Sequence, residues 1–383
     1  MIQPLLMITE QFLPTKGGTA VSFEDDFRRL GGKEVHIVTA DVPGAREFDQ
    51  GHPNSIYRLS LKRYPWIKPE SLLMYINLLQ KTLRLAISQS VTSIFAGRAL
   101  PEGLIALLIG RLTRCSVLIY AHGEELTGWG RGKKFQAMCF ALRHANWVLA
   151  NSDNTRDTLI NLIGVDPQHI ILAYPTVDAE RFVPDSNDYG LRRSIGLAEH
   201  KKLILSVGRL QQRKGFDNVI RSLPLLVNEG MDVEYALIGI GEEQASLQQL
   251  AQELKVESRV HFLGHVSYDD LPRWYNACDL FAMPNRDING DSEGFGLVFL
   301  EAAASGKPAI SGIAGGTGSA VLDGETGLRV EGESLAEIVK AIAYFLRHPA
   351  KAKAMGNKAR ERVLANFTHE RRVKQLRVLI SKS

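Results

Sequence analysis

Short apolar runs alternate with longer amphipathic stretches from one end of the chain to the other. In the first half these runs are PLLMIT, EVHIVTA, SIFAG, SVLIYAHG, WVLANS and IILAY, and each precedes a helical pattern or a group of turn residues. Apolar runs of this length are typical of buried parallel strands, and their alternation with helices indicates βαβ units. The pattern therefore predicts an α/β fold with a doubly wound parallel sheet.

A second series of the same kind starts after the segment YPTVDAERFVPDSNDYG, whose Pro, Asp and Gly residues indicate a linker. Its apolar runs are KLILSVGR, VEYALIGIG, VHFLG, LFAMP and KPAISG. We therefore predict two Rossmann-like domains, at residues 1–182 and 183–365, that face each other across a cleft. Residues 366–383 are predicted to form an amphipathic helix that is either solvated or docked on the first domain.

Composition and charge limit the classes of protein to which this chain can belong. With 45% hydrophobic and 23% charged residues among 383, the sequence is that of a globular protein rather than a disordered one. The formal charge of +4 is too small to indicate nucleic-acid binding, and it suits small anionic ligands or loose contact with an acidic membrane surface. The chain has three cysteines, Cys115, Cys139 and Cys278, an odd number without metal-ligand spacing. We therefore expect buried, reduced thiols rather than disulfides, and a cytoplasmic location.

Neither a membrane span nor export is predicted. The segment MIQPLLMITE lacks the basic region of a signal peptide, and no apolar segment reaches the roughly 18 residues that a transmembrane helix needs.

Three strand ends carry residues that suit a ligand and equally suit an ordinary turn. In doubly wound sheets, ligands bind beyond the carboxyl ends of the strands, where glycines and helix N-termini present free amides. Gly17 and Gly18, in LPTKGGTA, open a helix and let a phosphate or sugar approach the backbone. His122 ends SVLIYAHG and can hydrogen-bond a sugar hydroxyl, while Val266 follows VHFLG in a loop whose backbone can contact a nucleobase. The alternatives are a plain turn, a structural histidine and a common βα loop.

The loop LSVGRLQQRKGFDN opens the second domain and places basic residues above a helix N-terminus. Arg209 follows the strand directly, and Lys214 precedes Gly215 and the helix. A guanidinium that bridges two oxygens and an ammonium that acts as a point charge suit a diphosphate. Arg213 is an alternative to Lys214 in this role, and solvated surface side chains are the alternative for the whole group.

The stretch EGFGLVFLE holds two carboxylates, Glu293 and Glu301, in apolar surroundings. Residues Gly294–Ala304 are predicted to form a buried helix, so a carboxylate on it needs a partner. Glu293 precedes the helix and Glu301 lies on its second turn. A carboxylate at the second position can accept hydrogen bonds from two vicinal ribose hydroxyls, and the alternative is a surface glutamate on an amphipathic helix.

Two nucleotide-binding signatures are absent from the sequence. No D-x-D triplet that would hold a divalent cation occurs, and no G-x-G-x-x-G follows the first strand. We therefore expect neither a metal ion nor a dinucleotide cofactor. The further glycine-rich turn in IAGGTGSAV either cradles phosphate or is a simple loop.

Taken in order along the chain, these motifs resemble glycosyltransferase family 4, the retaining enzymes of the GT-B fold. The most specific is the pair Glu293 and Glu301, separated by seven residues within EGFGLVFLEAAASGKP. The segments VGRLQQRKG, VHFLGHV and GGTGSAVLDGETG support the resemblance in the expected order. It covers nearly the whole chain.

The resemblance implies contacts with the diphosphate, the sugars and the base of a nucleotide-sugar donor. Arg209 and Lys214 are expected to bind the diphosphate, and Glu301 the ribose hydroxyls. Glu293 and His122 are expected to contact the donor sugar. Further implied contacts are Val266 with the base, the backbone of Gly294, Phe295, Gly296 and Leu297 with the sugar and phosphate, and Gly17 with Gly18 beside the diphosphate and acceptor. The residues expected to act in catalysis are His122, Arg209, Lys214 and Glu293.

The implied reaction moves a hexose from a nucleotide sugar to a hydroxyl of a lipid or glycan acceptor, with retention and without a metal. RDINGDSEGFGLVFLEAAASGKP and AHGEELTGW are most similar to bacterial enzymes that use GDP-mannose, including those acting on phosphatidylinositol. Transferases dependent on UDP-glucose or UDP-N-acetylglucosamine share the same frame. A nucleotide-sugar epimerase, a phosphorylase and a catalytically silent binding subunit are further alternatives.

The acceptor side is the least specified part of the sequence. YPTVD departs from the Asn-Gly that many relatives carry before Val-Asp, which bears on the hinge and on acceptor binding. The segment RYPWIKPESLLMY has aromatic and basic residues that suit a lipid or glycan, or simply pack. A cytoplasmic enzyme with peripheral contact at the inner membrane face is therefore expected.

Overall fold

The computed structural model describes residues 3–15, 17–61, 72–128, 130–185, 189–198 and 201–382. The chain divides into two compact units: unit 1 is Met1–Pro175 with His369–Ser383, and unit 2 is Thr176–Thr368. The chain thus enters unit 2 after Pro175, within the segment predicted as a linker and seven residues before the predicted boundary after residue 182, and returns to unit 1 at His369.

Unit 1 is built on a parallel sheet of seven strands. They are β1 (Leu5–Ile8), β2 (Val35–Ala40), β3 (Ser55–Leu59), β4 (Ser93–Ala96), β5 (Ser116–Ala121), β6 (Trp147–Ala150) and β7 (Ile170–Leu172). Their order in the sheet is β3-β2-β1-β4-β5-β6-β7, so the switch point lies between β1 and β4. The helices before the linker are α1 (Gly18–Leu30), α2 (Ala45–Asp49), α3 (Leu72–Ser88), α4 (Leu104–Thr113), α5 (Glu124–Thr127), α6 (Lys133–His144) and α7 (Asp153–Thr158).

Unit 2 repeats this plan with a parallel sheet of six strands. They are β8 (Lys202–Val207), β9 (Val233–Ile238), β10 (Val260–Gly264), β11 (Leu280–Met283), β12 (Ala309–Gly312) and β13 (Gly327–Val330). The order β10-β9-β8-β11-β12-β13 puts the switch point between β8 and β11. The helices are α8 (Tyr189–Ser194), α9 (Phe216–Asn228), α10 (Gln244–Glu253), α11 (Leu271–Ala277), α12 (Leu297–Ala304), α13 (Leu335–Arg347) and α14 (Pro349–Asn366).

Helices cover both faces of the unit 1 sheet. Successive residues of a strand point to opposite faces, so neighbouring residues of β1 belong to different buried clusters. Leu6 of β1 belongs to a buried cluster with residues of α3, α4 and α6. Met7 belongs to a second cluster with residues of α1 and of the last helix, α15 (His369–Ser381). Arg372 of α15 also donates a hydrogen bond to the Tyr174 carbonyl oxygen at 2.6 Å. Residues 369–381 therefore pack on unit 1.

The predicted doubly wound α/β architecture is confirmed, with two strands that the sequence pattern did not identify. All the apolar runs named above form strands, but β3 and β13 were missed. Both lie at sheet edges, where a strand buries less of each side chain. Their sequences, SIYRL and GLRV, each contain an arginine and lack a continuous apolar run.

Two further sequence expectations concern the cysteines and the membrane. Cys115, Cys139 and Cys278 are all buried and unbridged, as predicted. Within the described ranges, no helix combines the length and the apolar character needed to cross a bilayer.

Candidate active site

The loops that follow β8 and β11 meet at the switch point of unit 2. Gly215 turns the first loop into α9 with a φ of 75°, and a Cβ there would lie 2.1 Å from the Pro284 carbonyl oxygen at the end of β11. Only glycine allows so close an approach. The contact brings the basic β8 loop to the loop that carries Glu293, at the sheet edge where ligands bind in doubly wound folds.

Glu293 is the centre of an ionic cluster. Its Oε2 accepts one hydrogen bond from Lys214 Nζ and another, of 3.0 Å, from Arg213 Nη1. Arg213 Nε also lies 3.3 Å from Asp291 Oδ2. The Lys214 and Glu293 side chains are only 11% and 13% exposed. Burial alone would raise the pKa of Glu293, but the charges of Lys214 and Arg213 outweigh it and hold that pKa below its ordinary value.

Arg209 lies in the same loop as Lys214 but outside the ionic cluster. Its side chain is exposed, and none of the described carboxylates forms an ion pair with it. The sequence paired Arg209 with Lys214 and kept Arg213 as an alternative. The structure places Arg213 together with Lys214 on Glu293 and leaves the Arg209 guanidinium facing solvent.

The predicted helix over Gly294–Ala304 begins three residues too early. The helix α12 starts at Leu297, because Gly296 adopts φ 85° and ψ 71° and ends the preceding loop. A Cβ on Gly296 would lie 2.6 Å from the Phe299 ring, so this turn requires glycine. Gly294 and Phe295 belong to the loop, and the Phe295 side chain is buried. A Cβ on Gly296 would also lie 3.5 Å from Glu293 Cγ, so the start of α12 lies close to the Glu293 side chain.

Glu301 is a buried carboxyl group with a tyrosine partner. The residue is 5% exposed, so the alternative of a surface glutamate is wrong. Tyr275 of α11 donates a hydrogen bond of 2.7 Å from its hydroxyl to Glu301 Oε2. Burial raises the pKa of Glu301 to about 7, although the hydrogen bond from Tyr275 acts in the opposite direction. Near neutral pH this group can therefore both accept and donate hydrogen bonds.

The turn Gly315–Ser319 packs against the backbone of the Glu293 loop. The Gly316 amide donates a hydrogen bond of 2.7 Å to the Glu293 carbonyl oxygen. A Cβ on Gly315 would lie 2.3 Å from that same oxygen. The glycine-rich turn therefore fixes the backbone of Glu293, in addition to any contact with phosphate.

Val266 lies at the same edge of the unit 2 sheet, beyond the end of β10 and two strands from β8. It is half-buried, and the preceding Gly264 accepts a hydrogen bond of 2.8 Å from the Gly239 amide. This bond ties the β10 loop to the end of β9. The position is compatible with backbone contact to a base and equally with a simple βα connection.

The remaining sequence candidates lie at the corresponding edge of unit 1. His122 follows β5, and its Nε2 is 2.8 Å from the Gly97 carbonyl oxygen. That hydrogen bond places the ring proton on Nε2 and leaves Nδ1 as an acceptor in the neutral ring. Gly17 precedes α1 with a φ of 142°, and both Gly17 and Gly18 are exposed. Open space surrounds the Cβ position of Gly17.

Sequence reasoning missed Asp291 and Tyr275. Asp291 contacts Arg213, which is far away along the chain, and Tyr275 reaches Glu301 from a neighbouring helix. Neither contact has a local sequence signal, because each depends on how the βα units pack. Across the residues that the structure describes, no group of His, Cys, Asp and Glu side chains is arranged to hold a metal ion.

Two family models match the chain in succession. The first, described as Glycosyltransferase Family 4, matches residues 17–181. The second, described as Glycosyl transferases group 1, matches residues 190–362.

Curated relatives match over nearly the whole chain. The chain is 31% identical to a GDP-mannose-dependent alpha-(1-6)-phosphatidylinositol monomannoside mannosyltransferase of Mycolicibacterium smegmatis, over 98% of both chains. It is 28% identical to a GDP-mannose-dependent monoacylated alpha-(1-6)-phosphatidylinositol monomannoside mannosyltransferase of Corynebacterium glutamicum, over 95% of this chain and 94% of that one.

A solved structure shares the fold. Anabaena Alr3699/HepE, crystallised with UDP and glucose, superimposes with a TM-score of 0.84 at 19% identity, and the match covers 100% of both chains. At this level of identity the likeness concerns the fold alone.

Proposed function

The chain belongs to glycosyltransferase family 4 and is a nucleotide-sugar-dependent hexosyltransferase of the GT-B fold, and we propose that it moves mannose from GDP-mannose to a hydroxyl of a lipid or glycan acceptor with retention. The observation that carries the proposal is the ionic cluster of Arg213, Lys214 and Glu293 at the switch point of unit 2. The GDP-mannose relatives named above support the choice of donor.

Positive charge at this edge suits the leaving group of the reaction. Breaking the anomeric bond places negative charge on the nucleotide diphosphate, and preorganised cations and amides stabilise that charge in the transition state. Lys214 and Arg213 are held in place by Glu293, and the Arg209 guanidinium is open to solvent in the same loop. We propose that these cations and the first-turn amides of α12 bind the diphosphate, so that the reaction proceeds without a metal ion.

Glu293 is proposed to contact the donor sugar. Its Oε2 is used by Lys214 and Arg213, which keep the carboxylate ionised next to the Gly296 turn. A carboxylate bound in this way is a poor covalent nucleophile and a good hydrogen-bond acceptor for sugar hydroxyls. We therefore propose that the acceptor hydroxyl attacks on the face that the diphosphate leaves, which retains the anomeric configuration. Glu301 is proposed to bind the ribose hydroxyls, and the Val266 loop the base.

His122 and the Gly17–Gly18 turn are proposed to act from unit 1. The His122 ring is fixed by its hydrogen bond to the Gly97 carbonyl oxygen and offers Nδ1 to a sugar hydroxyl. The exposed amides at the start of α1 are proposed to lie beside the diphosphate and the acceptor. Residues 62–71, which include most of the segment suggested for the acceptor, lie outside the described part of the chain.

Peripheral contact with the cytoplasmic face of a membrane is also proposed. Ile87 of α3 and Leu112 of α4 are 65% and 63% exposed and line the same groove of unit 1. Leu108, one turn before Leu112, is 48% exposed. Exposed basic side chains border this apolar strip: Arg84, Arg111 and Arg114. Apolar and basic groups together suit an anionic lipid surface.

A vesicle experiment tests the membrane proposal. The protein should sediment with vesicles of phosphatidylglycerol and phosphatidylcholine more than with phosphatidylcholine alone, and Leu112→Glu should reduce that binding. Equal sedimentation of wild type and Leu112→Glu with both vesicle types would contradict it.

A donor panel tests the reaction. GDP-mannose, UDP-glucose, UDP-N-acetylglucosamine and NAD are compared by thermal shift, since a ligand at 100 times its dissociation constant stabilises by about 2.7 kcal/mol. We expect a selective shift with GDP-mannose. Anomeric proton NMR of the product should show retention, and turnover should survive EDTA. A selective shift with a UDP-sugar would transfer the proposal to that donor, and an inverted product or loss of turnover in EDTA would refute the mechanism.

A further inference from the structure

The switch point of unit 1 holds a buried carboxyl group that the proposed reaction does not use. Glu102 lies in the helical turn Ala99–Gly103 after β4 and is fully buried. Its Oε1 accepts a hydrogen bond of 3.1 Å from the Glu10 amide, in the loop after β1. Its Oε2 is buried without a hydrogen-bond partner in the described chain, and so is Oε1 of Glu10. Buried polar atoms without partners are rare and call for an explanation.

Arg98 is held by this carboxyl group and keeps most of its donors unused. It lies two residues after the end of β4 and is next to Gly97, the residue whose carbonyl oxygen accepts a hydrogen bond from His122. Arg98 Nε is 3.6 Å from Glu102 Oε1, and the arginine side chain is 29% exposed. Neither Nη atom donates a hydrogen bond to a residue that the structure describes. A guanidinium whose Nε lies beside a carboxyl group and whose two amino groups are open matches the geometry of a phosphate.

The protonation of Glu102 sets the charge of this edge. Burial raises the pKa of Glu102 to about 8, against the opposing charge of Arg98, and Glu10 adds to the rise. Arg98 and Glu10 are the charged groups that act on it. With Glu102 neutral, Arg98 and Glu10 balance each other. With Glu102 ionised, the cluster would be net negative and would repel an anion.

A second Arg–Glu pair in unit 1 has a glutamate whose pKa is lowered rather than raised. Arg28 Nη1 is 3.1 Å from Glu24 Oε1, and the two residues are four apart on α1, as Arg98 and Glu102 are along the chain. Burial acts to raise the pKa of Glu24, but His52, whose Nε2 is 3.5 Å from Glu24 Oε1, and Arg28 outweigh it and lower the pKa. The glutamate that contacts Arg28 therefore has a lowered pKa, whereas the glutamate beside Arg98 has a raised one.

Resting on the proposed function, we propose that Arg98 binds a phosphate group of the acceptor and that Glu102, whose Oε1 lies 3.6 Å from Arg98 Nε, is the residue that positions the guanidinium. The ligand class is a phosphate monoester or diester beside the hydroxyl that receives the sugar. The position of Arg98 fits this role, because it lies at the switch point of unit 1 and adjoins the carbonyl that orients His122. The contrast with Arg28 and Glu24 supplies a matched control.

Calorimetric titration of the full chain, saturated with GDP so that the donor site is filled, tests the proposal. The probes are myo-inositol 1-phosphate as a monoester, glycerophosphoinositol as a diester and uncharged myo-inositol. Arg98→Ala should bind both phosphorylated probes about 10- to 100-fold more weakly, because it loses hydrogen bonds to a charged group. Arg28→Ala should bind them like the wild type, and myo-inositol should not distinguish the variants. A preference for the diester would indicate a lipid headgroup, and a preference for the monoester a free phosphate.

Glu102→Gln separates the positioning role from a simple ion pair. At pH 7 this variant should bind the diester like the wild type, because the amide resembles the neutral acid. From pH 7 to pH 9 the wild type should lose affinity several-fold while Glu102→Gln stays constant, since the charge of the diester does not change over this range. Equal affinity in Arg98→Ala and wild type, or no binding of either phosphorylated probe by wild type, would overturn the assignment of Arg98. Weak binding by Glu102→Gln at pH 7 would overturn that of Glu102. Failure of GDP to bind would instead contradict GDP-mannose as the donor, and the titration would then be made with UDP.

Discussion

The two units place a carboxyl group next to a cation at the same point of the same topology, yet the two groups differ in charge. In unit 2, Glu293 receives hydrogen bonds from Lys214 and Arg213, and these partners lower its pKa. In unit 1, Glu102 has one arginine at 3.6 Å and no hydrogen bond from it, and burial raises its pKa to about 8. Desolvation acts on both, so the number and geometry of the donors decide the outcome.

This difference matches the two kinds of ligand that the units are proposed to bind. A glutamate that stays ionised holds Lys214 and Arg213 rigidly where a diphosphate would meet them, which suits stabilisation of a leaving group. A neutral Glu102 lies beside Arg98 without adding a negative charge, which suits binding of one acceptor phosphate. The same doubly wound fold can therefore present either a preorganised ionic cluster or a single open guanidinium. Which of the two forms depends on the cationic side chains around one carboxyl group.

Lys214→Ala should have the largest effect of any change at these two edges. It removes the main charge that keeps Glu293 ionised and a cation proposed to stabilise the departing diphosphate. Turnover should fall about 10²- to 10³-fold, as for the loss of one preorganised donor. The measurement is the rate of sugar transfer at saturating donor. Lys202→Ala is the control, because Lys202 starts β8 at the opposite edge of the sheet and pairs with Asp279. Turnover within twofold of wild type in Lys214→Ala would remove the ionic cluster from the mechanism.

Gly296→Ala and Gly17→Ala compare the helix starts at the two switch points. Both glycines have positive φ, but a Cβ on Gly296 would meet the Phe299 ring at 2.6 Å while that on Gly17 would meet nothing. Gly296→Ala should cost about 2–4 kcal/mol of unfolding free energy, from strain and overpacking together. Gly17→Ala should cost about 1–2 kcal/mol, from strain alone. Urea unfolding measures both free energies. Equal decreases in the two variants would show that the Phe299 ring moves aside without cost.

The central strands and the loops after β1, β8 and β11 were predictable because each rests on a local pattern. Buried central strands need long apolar runs, and glycines with cations after a strand indicate where ligands bind. The edge strands β3 and β13 were not predictable in this way, because each contains an arginine and lacks a continuous apolar run. The start of α12 was misplaced because glycine can adopt either helical or left-handed φ, and the sequence pattern does not show that Gly296 has a φ of 85°.

Contacts between distant residues were beyond the sequence pattern. Nothing in the loop RLQQRKG indicates that Arg213 rather than Arg209 reaches Glu293, since the choice depends on how the β11 loop returns. Glu102 was not identified as a candidate either. In ALPEG it resembles a surface glutamate, and it becomes buried only because this turn packs against β5 and α6.

The pH dependence of stability should have opposite signs for the two carboxyl groups. A raised folded pKa means that the contribution of Glu102 is complete below its unfolded value, near 4.5, and is lost as pH rises towards about 8. The free energy of unfolding of Glu102→Gln should therefore increase relative to that of the wild type by about 1.4 kcal/mol per pH unit between pH 5 and 8. The pKa of Glu293 is lowered, so its contribution to stability is lost only as pH falls below about 4.5. The free energy of unfolding of Glu293→Gln should therefore increase relative to that of the wild type only in acid. Urea unfolding at several pH values measures both, and parallel curves would refute the contrast.

Tyr275→Phe and Tyr120→Phe should give the smallest effects and test whether buried polar groups in unit 2 are better satisfied than those in unit 1. The Tyr275 hydroxyl donates to Glu301 at 2.7 Å, whereas the buried Tyr120 hydroxyl of β5 has no hydrogen-bond partner among the described residues. Tyr275→Phe should cost about 1 kcal/mol and raise the pKa of Glu301 further above its ordinary value, because the hydrogen bond that lowers it is gone. Tyr120→Phe should be neutral or slightly stabilising, since no bond is lost and an unsatisfied hydroxyl is removed. Urea unfolding of both variants at pH 7 gives the comparison, and a loss in Tyr120→Phe equal to that in Tyr275→Phe would mean that unit 1 satisfies its buried groups as fully as unit 2.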